Sequence, residues 1–334
     1  MPDQNQSDQS LSDQNGPDQN GPDQSGPDRK PPVVTVPDER WLGLWPDGEG
    51  PVDVTVWGMT AQPPAGLEFV VLPYLDPTPA FGWLHTLPSV RVVQTLTAGY
   101  ESVLPHLPAG AVLCNAAGVH DASTAELAVG LAIASLRGLG DYARAQPAGQ
   151  WRGGTRPSLA DSSVLLIGAG RIGAAIGRRL APFEVRLTRV ASRARDDEQG
   201  RVHAVAELPQ LLPDHDVVIL SCPLTAATRG LVDAAFLAAM PDGALLVNVS
   251  RGPVVVTDAL VAELATGRLR AGLDVTDPEP LPPGHPLWTT PNTLISPHVG
   301  GDSTAFPPRA RSLLREQLTR YAAGEPLQNV VHRG

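Results

Sequence analysis

Four side chains with complementary chemistry follow apolar segments in the second half of the chain: Arg251, Asp274, Glu279 and His298. Arginine grips a carboxylate through two parallel hydrogen bonds. Histidine can donate a proton to a carbonyl oxygen, and a carboxylate partner favours the charged form of its ring. Any one of these residues could be structural. Four of them at predicted strand ends indicate a site that binds an acid and moves a proton.

A glycine-rich turn lies upstream of these residues, between an apolar run at 164–167 and a helical pattern. Gly168 permits a tight turn, Gly170 lets the backbone approach a pyrophosphate, and Gly173 allows close packing of helix on strand. The N-terminus of the helix adds a favourable dipole. Strand and helix around the motif therefore predict a dinucleotide site. We expect cofactor contacts from five residues of this turn: Gly168, Gly170, Arg171, Ile172 and Gly173.

The end of the next predicted strand, 185–190, bears on which dinucleotide binds. A carboxylate about 20 residues after the first glycine accepts a bond from the adenosine 2′-hydroxyl in many such sites. Here Ala191 stands at that place, followed by Ser192 and Arg193. These residues leave room and positive charge for a 2′-phosphate, so we expect NADP(H), with NAD(H) as the alternative. Arg195, farther into a predicted turn, is the weaker phosphate ligand. The competing interpretation is a solvated charge run that includes Arg189, Asp196 and Asp197.

The segments that must position these groups alternate between strand and helix from residue 163 to residue 298. Continuous apolar runs are typical of strands that are buried on both faces of a sheet. The alternation predicts a doubly wound parallel sheet, with the strands' carboxyl ends meeting in a crevice. The predicted strands are 164–167, 185–190, 217–220, 244–249, 271–274 and 293–296. The predicted helices between them are 172–180, 206–212, 233–239 and 258–266.

The chain from residue 33 to about residue 117 has a different pattern, in which Pro and Gly separate short β-branched runs. This predicts strands with tight connections at 52–56, 69–72, 90–96 and 111–114. A helix is predicted over 122–136, a loop over 138–157 and a last helix over 304–323. Residues 1–32 repeat a Gly-Pro-Asp unit and contain almost nothing apolar, which predicts a disordered low-complexity tail.

Composition excludes several classes of function for this chain of 334 residues. The net charge of −10 does not favour binding to nucleic acid or to an anionic membrane, both of which attract positively charged surfaces. No apolar run approaches the roughly 20 residues that span a bilayer, and the N-terminus does not resemble a signal peptide. Two cysteines, Cys114 and Cys222, are too few for disulfide bonds to stabilise a chain of this size. This low cysteine content favours a cytoplasmic location. No histidine spacing indicates a metal site. We expect Trp151 and Trp288 to be packing anchors, with a pocket wall as the alternative.

Further motifs accompany these residues: Asn115-Ala116-Ala117-Gly118-Val119-His120, Cys222-Pro223-Leu224-Thr225 and Ser296-Pro297-His298-Val299-Gly300-Gly301. With them the chain resembles the D-isomer-specific 2-hydroxyacid dehydrogenase family from about residue 33 to residue 331. The resemblance implies that Arg251 binds the substrate carboxylate and carbonyl, and that His298 is the acid/base with Glu279 as its partner. It also implies that Asp274 holds the nicotinamide carboxamide. Ala191 departs from the family's usual acid, which argues against NAD.

The resemblance extends the expected site to both sides of the cofactor. Backbone groups of Ala98 and Gly99 would receive the substrate carboxylate. Further cofactor contacts are expected from Cys222, Pro223, Thr228 and His298. The expected fold is α/β with two domains: a Rossmann doubly wound parallel sheet over 118–299, and a discontinuous flavodoxin-like substrate domain from 33–117 and 300–334.

The expected function is hydride transfer between NADP(H) and a small 2-oxo or 2-hydroxy acid. Glyoxylate or hydroxypyruvate is the favoured substrate, and the resemblance implies a homodimer. Phosphoglycerate dehydrogenase is a less favoured alternative. A cofactor-sensing binding protein, similar to transcriptional corepressors of the same fold, is the alternative from another class.

Overall fold

The structure of this chain is a computed structural model that describes residues 31–46, 48, 50–74 and 76–334. Apart from its last two residues, the predicted disordered tail over 1–32 lies outside the described residues. Elsewhere the chain forms two separate sheets, of six and eight strands, and helices pack against both. The predicted α/β fold with two domains is confirmed.

The first sheet begins with five parallel strands. In chain order, its elements are β1 (Val33–Val36), β2 (Asp53–Val56), β3 (Leu67–Val71), α1 (Thr78–Leu84), β4 (Val92–Gln94) and β5 (Val112–Cys114). The strand order β2-β1-β3-β4-β5 is the flavodoxin-like order. The carboxyl ends of β3 and β4 continue into loops at one edge of this sheet, where ligands bind in folds of this kind.

The second sheet follows two helices that cross over from the first. Its elements are α2 (Asp121–Arg137), α3 (Leu139–Ala145), β6 (Ser163–Ile167), α4 (Arg171–Leu180), β7 (Arg186–Ala191), β8 (Arg195–Asp197), β9 (Gly200–Ala204), α5 (Leu208–Leu211), β10 (Val217–Leu220), α6 (Ala234–Ala239), β11 (Leu245–Asn248), α7 (Thr257–Ala265), β12 (Arg270–Leu273) and β13 (Thr293–Ile295). The order β9-β7-β6-β10-β11-β12 is the Rossmann order. β13 extends one edge, and β8 pairs antiparallel with β9 at the other.

Alternate residues of the central strands enter two different cores. Val164 and Leu166 of β6 pack with α2 and α4 on one face, whereas Leu165 and Ile167 pack with α6 and α7 on the other. Successive side chains of a strand point to opposite faces, so a strand covered on both sides must be apolar throughout. This is the physical reason why the continuous apolar runs predicted these strands correctly.

The chain returns to the first sheet at its end. Helix α8 (Phe306–Ala322) packs on that sheet through apolar residues at helical spacing: Phe306, Ala310, Leu313, Leu314 and Leu318. Strand β14 (Val330–Arg333) then pairs antiparallel with β5. The chain therefore passes between the sheets twice, and His120 and Gly301 at the two crossings approach each other, with 3.4 Å between Nδ1 and the carbonyl oxygen.

Three stretches differ from the sequence-based predictions. The predicted loop over 138–157 contains α3, which begins directly after the end of α2. The predicted helix over 206–212 is reduced to the single turn α5, flanked by 3-10 turns. Pro209 and Pro213 lack the N–H that a longer helix needs there. The β8–β9 hairpin was not predicted because its residues are mostly polar and carry no apolar alternation.

The large aromatic residues and the cysteines have contrasting environments. Cys114 and Cys222 are both buried and free. Trp151 is fully exposed and Trp288 is half exposed, so the prediction that they anchor packing is wrong. Trp151 lies in a glycine-containing stretch without helix or strand, in which residues 151–155 are all exposed. Among the described residues, no single helix is long and apolar enough to cross a membrane. One pair of helices, Asp121–Arg137 and Leu139–Ala148, reaches that length and apolar character only when taken together, and the pair is bent by 64°.

Candidate active site

A cavity of about 600 Å³ opens where loops of the first sheet face strand ends of the second. The loops after β3 and β4 form one wall, and the segments after β11, β12 and β13 form the other. Predicted site residues from both sheets line it: Ala98, Gly99, Ile172, Arg251, Asp274, Glu279 and His298. The tertiary structure therefore brings the three predicted catalytic residues together with the predicted carboxylate-binding loop.

His298 and Glu279 form a close pair at the edge of this cavity. His298 Nδ1 lies 2.5 Å from Glu279 Oε1, and both side chains are partly exposed. Burial opposes ionisation of Glu279, but the hydrogen bond from His298 and the charges of His298 and Arg251 outweigh it, so the pKa of Glu279 lies below its usual value. Because Glu279 occupies Nδ1, the ring nitrogen left for a substrate is Nε2.

Arg251 reaches from the second sheet to the first. Asn248, the last residue of β11, accepts bonds from the N–H and hydroxyl of Ser250 (3.0 and 2.7 Å) and donates to the Arg251 carbonyl (3.1 Å). These bonds fix the turn from which the Arg251 side chain extends. A Cβ on Gly99 would lie 2.0 Å from Arg251 Nη2. A side chain at position 99 would therefore require this guanidinium to shift.

The loop after β4 presents free backbone donors to the same place. Its carbonyl groups are engaged: Asn115 donates to Ala98 O and Thr97 donates to Gly99 O, both at 2.7 Å. Within the described chain, the N–H groups of Ala98 and Gly99 have no acceptor. Free N–H groups beside an arginine are suited to a carboxylate, which matches the predicted role of this loop.

The glycine turn between β6 and α4 has the shape of a dinucleotide cradle. Gly168 adopts φ +117°, and a Cβ there would lie 2.6 Å from Cys222 N. A Cβ on Gly173 would lie 1.8 Å from Gly168 O, whereas a Cβ on Gly170 would meet nothing within 4 Å. Gly170 therefore leaves open space at the start of α4, where N–H groups of the first turn point out of the helix. This arrangement fits a pyrophosphate.

Other predicted cofactor residues have different surroundings. Arg171 Nε donates to Asp121 Oδ2 at 3.0 Å, so its side chain ties α4 to the start of α2. Cys222 contacts the glycine turn, and burial raises the pKa of its thiol to about 11. Thr228 closes the loop after β10, because its hydroxyl donates to Pro223 O at 2.6 Å. The structure thus gives Arg171 and Thr228 framework contacts beside the predicted cofactor site.

The rim beyond β7 is exposed. In the described chain, the side chains of Ser192 and Arg193 make no hydrogen bond, whereas Arg195 Nη2 donates to Ala169 O of the glycine turn at 3.2 Å. Arg189 is buried and forms a two-bond pair with Asp197 (2.7 and 2.8 Å). Arg189, on β7, therefore binds the β8–β9 hairpin and is not part of the solvated charge run that was the alternative.

Sequence reasoning missed one wall of the cavity. The rings of Tyr74, His120 and Phe306 stack on one another, with 4.0 Å between the centres of Tyr74 and Phe306. Burial, with the charges of Asp302 and Asp274, raises the pKa of Tyr74 to about 12, so its hydroxyl stays protonated. His120 was part of a quoted motif, but Tyr74 and Phe306 carry no local signal. Across the described residues, no group of three or more His, Cys, Asp or Glu could hold a metal ion.

Comparison with known proteins places this site in a family. Residues 129–300 match the model of the D-isomer specific 2-hydroxyacid dehydrogenase NAD binding domain, slightly more than half of the chain. The chain belongs to the D-isomer specific 2-hydroxyacid dehydrogenase family. The predicted family is therefore confirmed, and so is the enzyme class of the family, NAD(P)-dependent oxidoreductases.

Named relatives cover different shares of this dehydrogenase. It is 38% identical over 214 residues to the glyoxylate reductase/hydroxypyruvate reductase of Homo sapiens, covering 61% of this chain and 65% of that protein. The chain thus spans just under two thirds of the human protein. It is 32% identical over 261 residues to the glyoxylate reductase of Thermofilum pendens, covering 75% and 77%. The solved D-isomer specific 2-hydroxyacid dehydrogenase of Xanthobacter autotrophicus Py2, in complex with NADPH and MES, superimposes with a TM-score of 0.77, at 28% identity and coverage of 91% and 98%.

Proposed function

We propose that this dehydrogenase reduces a small 2-oxo acid to the 2-hydroxy acid with NADPH, and that glyoxylate or hydroxypyruvate is its substrate. One observation carries the proposal: the His298–Glu279 pair, Arg251 and the free N–H groups of the loop after β4 line one cavity. A proton donor thereby faces the place where a carboxylate can bind. The cavity opens beside the glycine turn, through Ile172 at the start of α4.

The residues support a simple division of work. The substrate carboxylate binds Arg251 and the N–H groups of Ala98 and Gly99, which orients its 2-oxo group toward His298. NADPH bound at the glycine turn would supply the hydride that adds to C2. His298 donates its proton to the oxygen as the alkoxide forms, and Glu279 stabilises the imidazolium before transfer. The hydride and this proton together convert the carbonyl into a hydroxyl group. Loops from both sheets surround the reacting atoms, which limits the access of water.

The named relatives favour these two substrates. The human and Thermofilum proteins carry the names of glyoxylate and hydroxypyruvate reductases. Among the described residues that line the cavity, Arg251 is the one arginine available to a carboxylate, and Glu101 is a charged side chain that the first sheet contributes. A substrate with one carboxylate and no second anion suits these surroundings.

The preference for NADPH rests on the rim after β7. The end of this strand carries Ala191, not a carboxylate, so the position that would repel a 2′-phosphate or accept a bond from a free 2′-hydroxyl holds no acid. Arg195 already contacts the glycine turn, and its remaining N–H groups are available to a phosphate. Ser192 and Arg193 lie on the same exposed segment. The Xanthobacter relative was solved with NADPH.

We also propose a homodimer, which the family resemblance implies. Trp151 is fully exposed, and Leu139 on α3 is about half exposed on the same connecting segment. Large apolar groups of this kind are stabilised when a second copy covers them. Light scattering behind gel filtration should give the mass of two chains, and Trp151→Ser should shift the equilibrium toward one chain. A wild-type monomer at micromolar concentration would contradict the proposal.

Turnover of a panel of oxo acids tests the proposed function. Oxidation of NADPH and NADH is followed with glyoxylate, hydroxypyruvate, pyruvate and phosphohydroxypyruvate at one salt concentration. We expect the highest kcat/KM for glyoxylate or hydroxypyruvate, and a preference for NADPH of about tenfold or more, from one charge-assisted bond. Tight cofactor binding without turnover of any oxo acid would instead support the cofactor-sensing alternative.

A further inference from the structure

The turn that carries His298 is bonded almost entirely to one residue of the neighbouring strand end. The Asp274 carboxylate accepts from the Ser296 hydroxyl (2.6 Å), the Val299 N–H (2.9 Å) and the Gly300 N–H (2.8 Å). The Asp274 carbonyl accepts from the His298 N–H at 2.8 Å. Main-chain and side-chain oxygens of Asp274 therefore hold the residues on both sides of His298.

His298 needs such support because of its backbone. Its φ is +52°, in the left-handed region that non-glycine residues rarely adopt. A backbone of this kind persists only where the surrounding structure holds it. The two N–H groups after His298 point at the carboxylate, and they could not both do so if the chain relaxed to an ordinary extended conformation. The conformation directs the His298 ring toward Glu279.

The carboxylate of Asp274 in turn depends on this turn. Asp274 is only 3% exposed, and within the described part of the chain it forms no ion pair. Hydrogen bonds from the turn therefore replace the water that an ionised carboxylate loses on burial. Oδ1 accepts two of them and Oδ2 accepts one, so Oδ2 keeps capacity for one further donor.

We infer that Asp274 is a positioning residue for His298, acting through the Ser296–Gly300 turn, and that this role is separate from the predicted contact of Asp274 with the nicotinamide carboxamide. Both roles fit one carboxylate, because the turn leaves Oδ2 with a free lone pair. Cofactor binding at Oδ2 and the alignment of His298 are then coupled through one side chain. The inference rests on the proposed function, since it assigns His298 the proton transfer.

Ser296→Ala separates the two roles, because it removes one bond to Oδ1 and leaves the carboxylate and Oδ2 in place. We expect kcat to fall about tenfold, while the Kd for NADPH stays within about twofold of wild type. The alkaline limb of the pH–rate profile for reduction should move to lower pH, because a misaligned ring gains less from Glu279. Ser296→Thr keeps a hydroxyl and should restore kcat. Ser89→Ala, which loses a bond to Leu67 O in the first sheet, is the matched control.

Asp274→Asn provides the contrasting variant. This variant should bind NADPH more weakly and have a lower kcat, since its amide changes both the bonds to the turn and the acceptor offered to the cofactor. A second readout does not need turnover: the pH titration of the His298 ring C–H resonances in protein labelled with ¹³C-histidine, with NADP⁺ bound. The midpoint should be lower in Ser296→Ala than in wild type, Ser296→Thr and Ser89→Ala.

The outcomes distinguish failure of the inference from failure of the proposed function. Wild-type kcat together with a wild-type titration midpoint in Ser296→Ala would overturn the positioning role. A lower midpoint in Ser296→Ala would support positioning even if the wild-type protein reduced no oxo acid, a result that would overturn the proposed function alone. If kcat falls by the same factor in Ser296→Ala and in Ser296→Thr, the role of the hydroxyl bond is overturned.

Discussion

The two rims of the site differ in how firmly the fold holds their side chains. At the reaction edge, after β11, β12 and β13, turn bonds anchor Arg251 and His298, and the buried Asp274 carboxylate accepts three hydrogen bonds. At the cofactor-selecting rim, after β7, the candidate side chains are exposed, and Arg195 alone makes a hydrogen bond, to the glycine turn. Proton and hydride transfer require side chains that are already in place. Exposed side chains can instead become ordered around a phosphate when the ligand binds.

The difference predicts where substitutions have large effects. Changes at the reaction edge should remove turnover and leave cofactor binding intact. Changes at the exposed rim should alter the choice of cofactor by a smaller factor and leave the chemistry intact. The glycine turn lies between the two regions and should respond according to whether a side chain meets protein or open space.

Substitution of His298 should have the largest effect. His298→Ala removes the proposed proton donor, and general acid catalysis contributes about 10²–10⁴ in rate. We expect kcat to fall by about that factor while the Kd for NADPH, measured by fluorescence titration, stays near wild type. His332→Ala, on exposed β14, is the control. Equal losses of kcat and cofactor affinity would remove the distinction between the two rims.

Two glycines of the same turn should respond in opposite ways. Gly173→Ala places a Cβ against Gly168 O, so we expect overpacking of about 1–3 kcal/mol and a Tm lower by roughly 5 °C. Gly170→Ala meets no protein atom within 4 Å and should keep its Tm, but the methyl group projects into the space assigned to pyrophosphate. Calorimetry and NADPH titration of both variants test this. Unchanged cofactor affinity in Gly170→Ala would place the pyrophosphate elsewhere.

Substitutions at the exposed rim should have a moderate effect on NADPH binding and little effect on NADH binding. Arg195→Ala should weaken NADPH binding by roughly ten- to a hundredfold, the value of one charge-assisted bond, and barely change NADH binding. Arg193→Ala is the matched comparison, since Arg193 is also exposed but, among the described residues, makes no hydrogen bond to the glycine turn. Ala191→Asp should move the preference toward NADH. A larger loss in Arg193→Ala than in Arg195→Ala would restore the prediction made from the sequence.

The smallest effect should be a shift in pH dependence. The lowered pKa of Glu279 keeps its carboxylate ionised through the neutral range, where it favours the imidazolium of His298. Glu279→Gln removes the carboxylate that accepts from Nδ1 of His298, so the alkaline limb of the pH–rate profile for reduction should move to lower pH. Oxidation of the hydroxy acid, which needs the neutral ring, should gain activity at lower pH. An unchanged profile in both directions would show that Glu279 does not act on His298.

Much of this protein could be predicted from its sequence because the strongest signals are local. Continuous apolar runs mark strands that are buried on both faces, and the glycines of 168–173 mark a turn in which backbone atoms nearly touch. Since the carboxyl ends of parallel strands meet at one edge, Arg251 and His298 could be assigned to one site before their contacts were known. The polar hairpin at 195–204 has no such periodicity, and it was missed.

Contacts between groups that are far apart in the chain were decided only by the tertiary structure. Asp274 was expected to hold the cofactor, and no spacing indicated that its carboxylate also binds the turn around His298. Tyr74 and His120 line the cavity, and Phe306, which the second crossing returns to the first sheet, stacks on both rings. Arg195, the weaker candidate by sequence position, is the arginine that reaches the glycine turn. The types and order of residues determine elements and edges, whereas side-chain direction depends on packing against distant segments, which a local pattern does not encode.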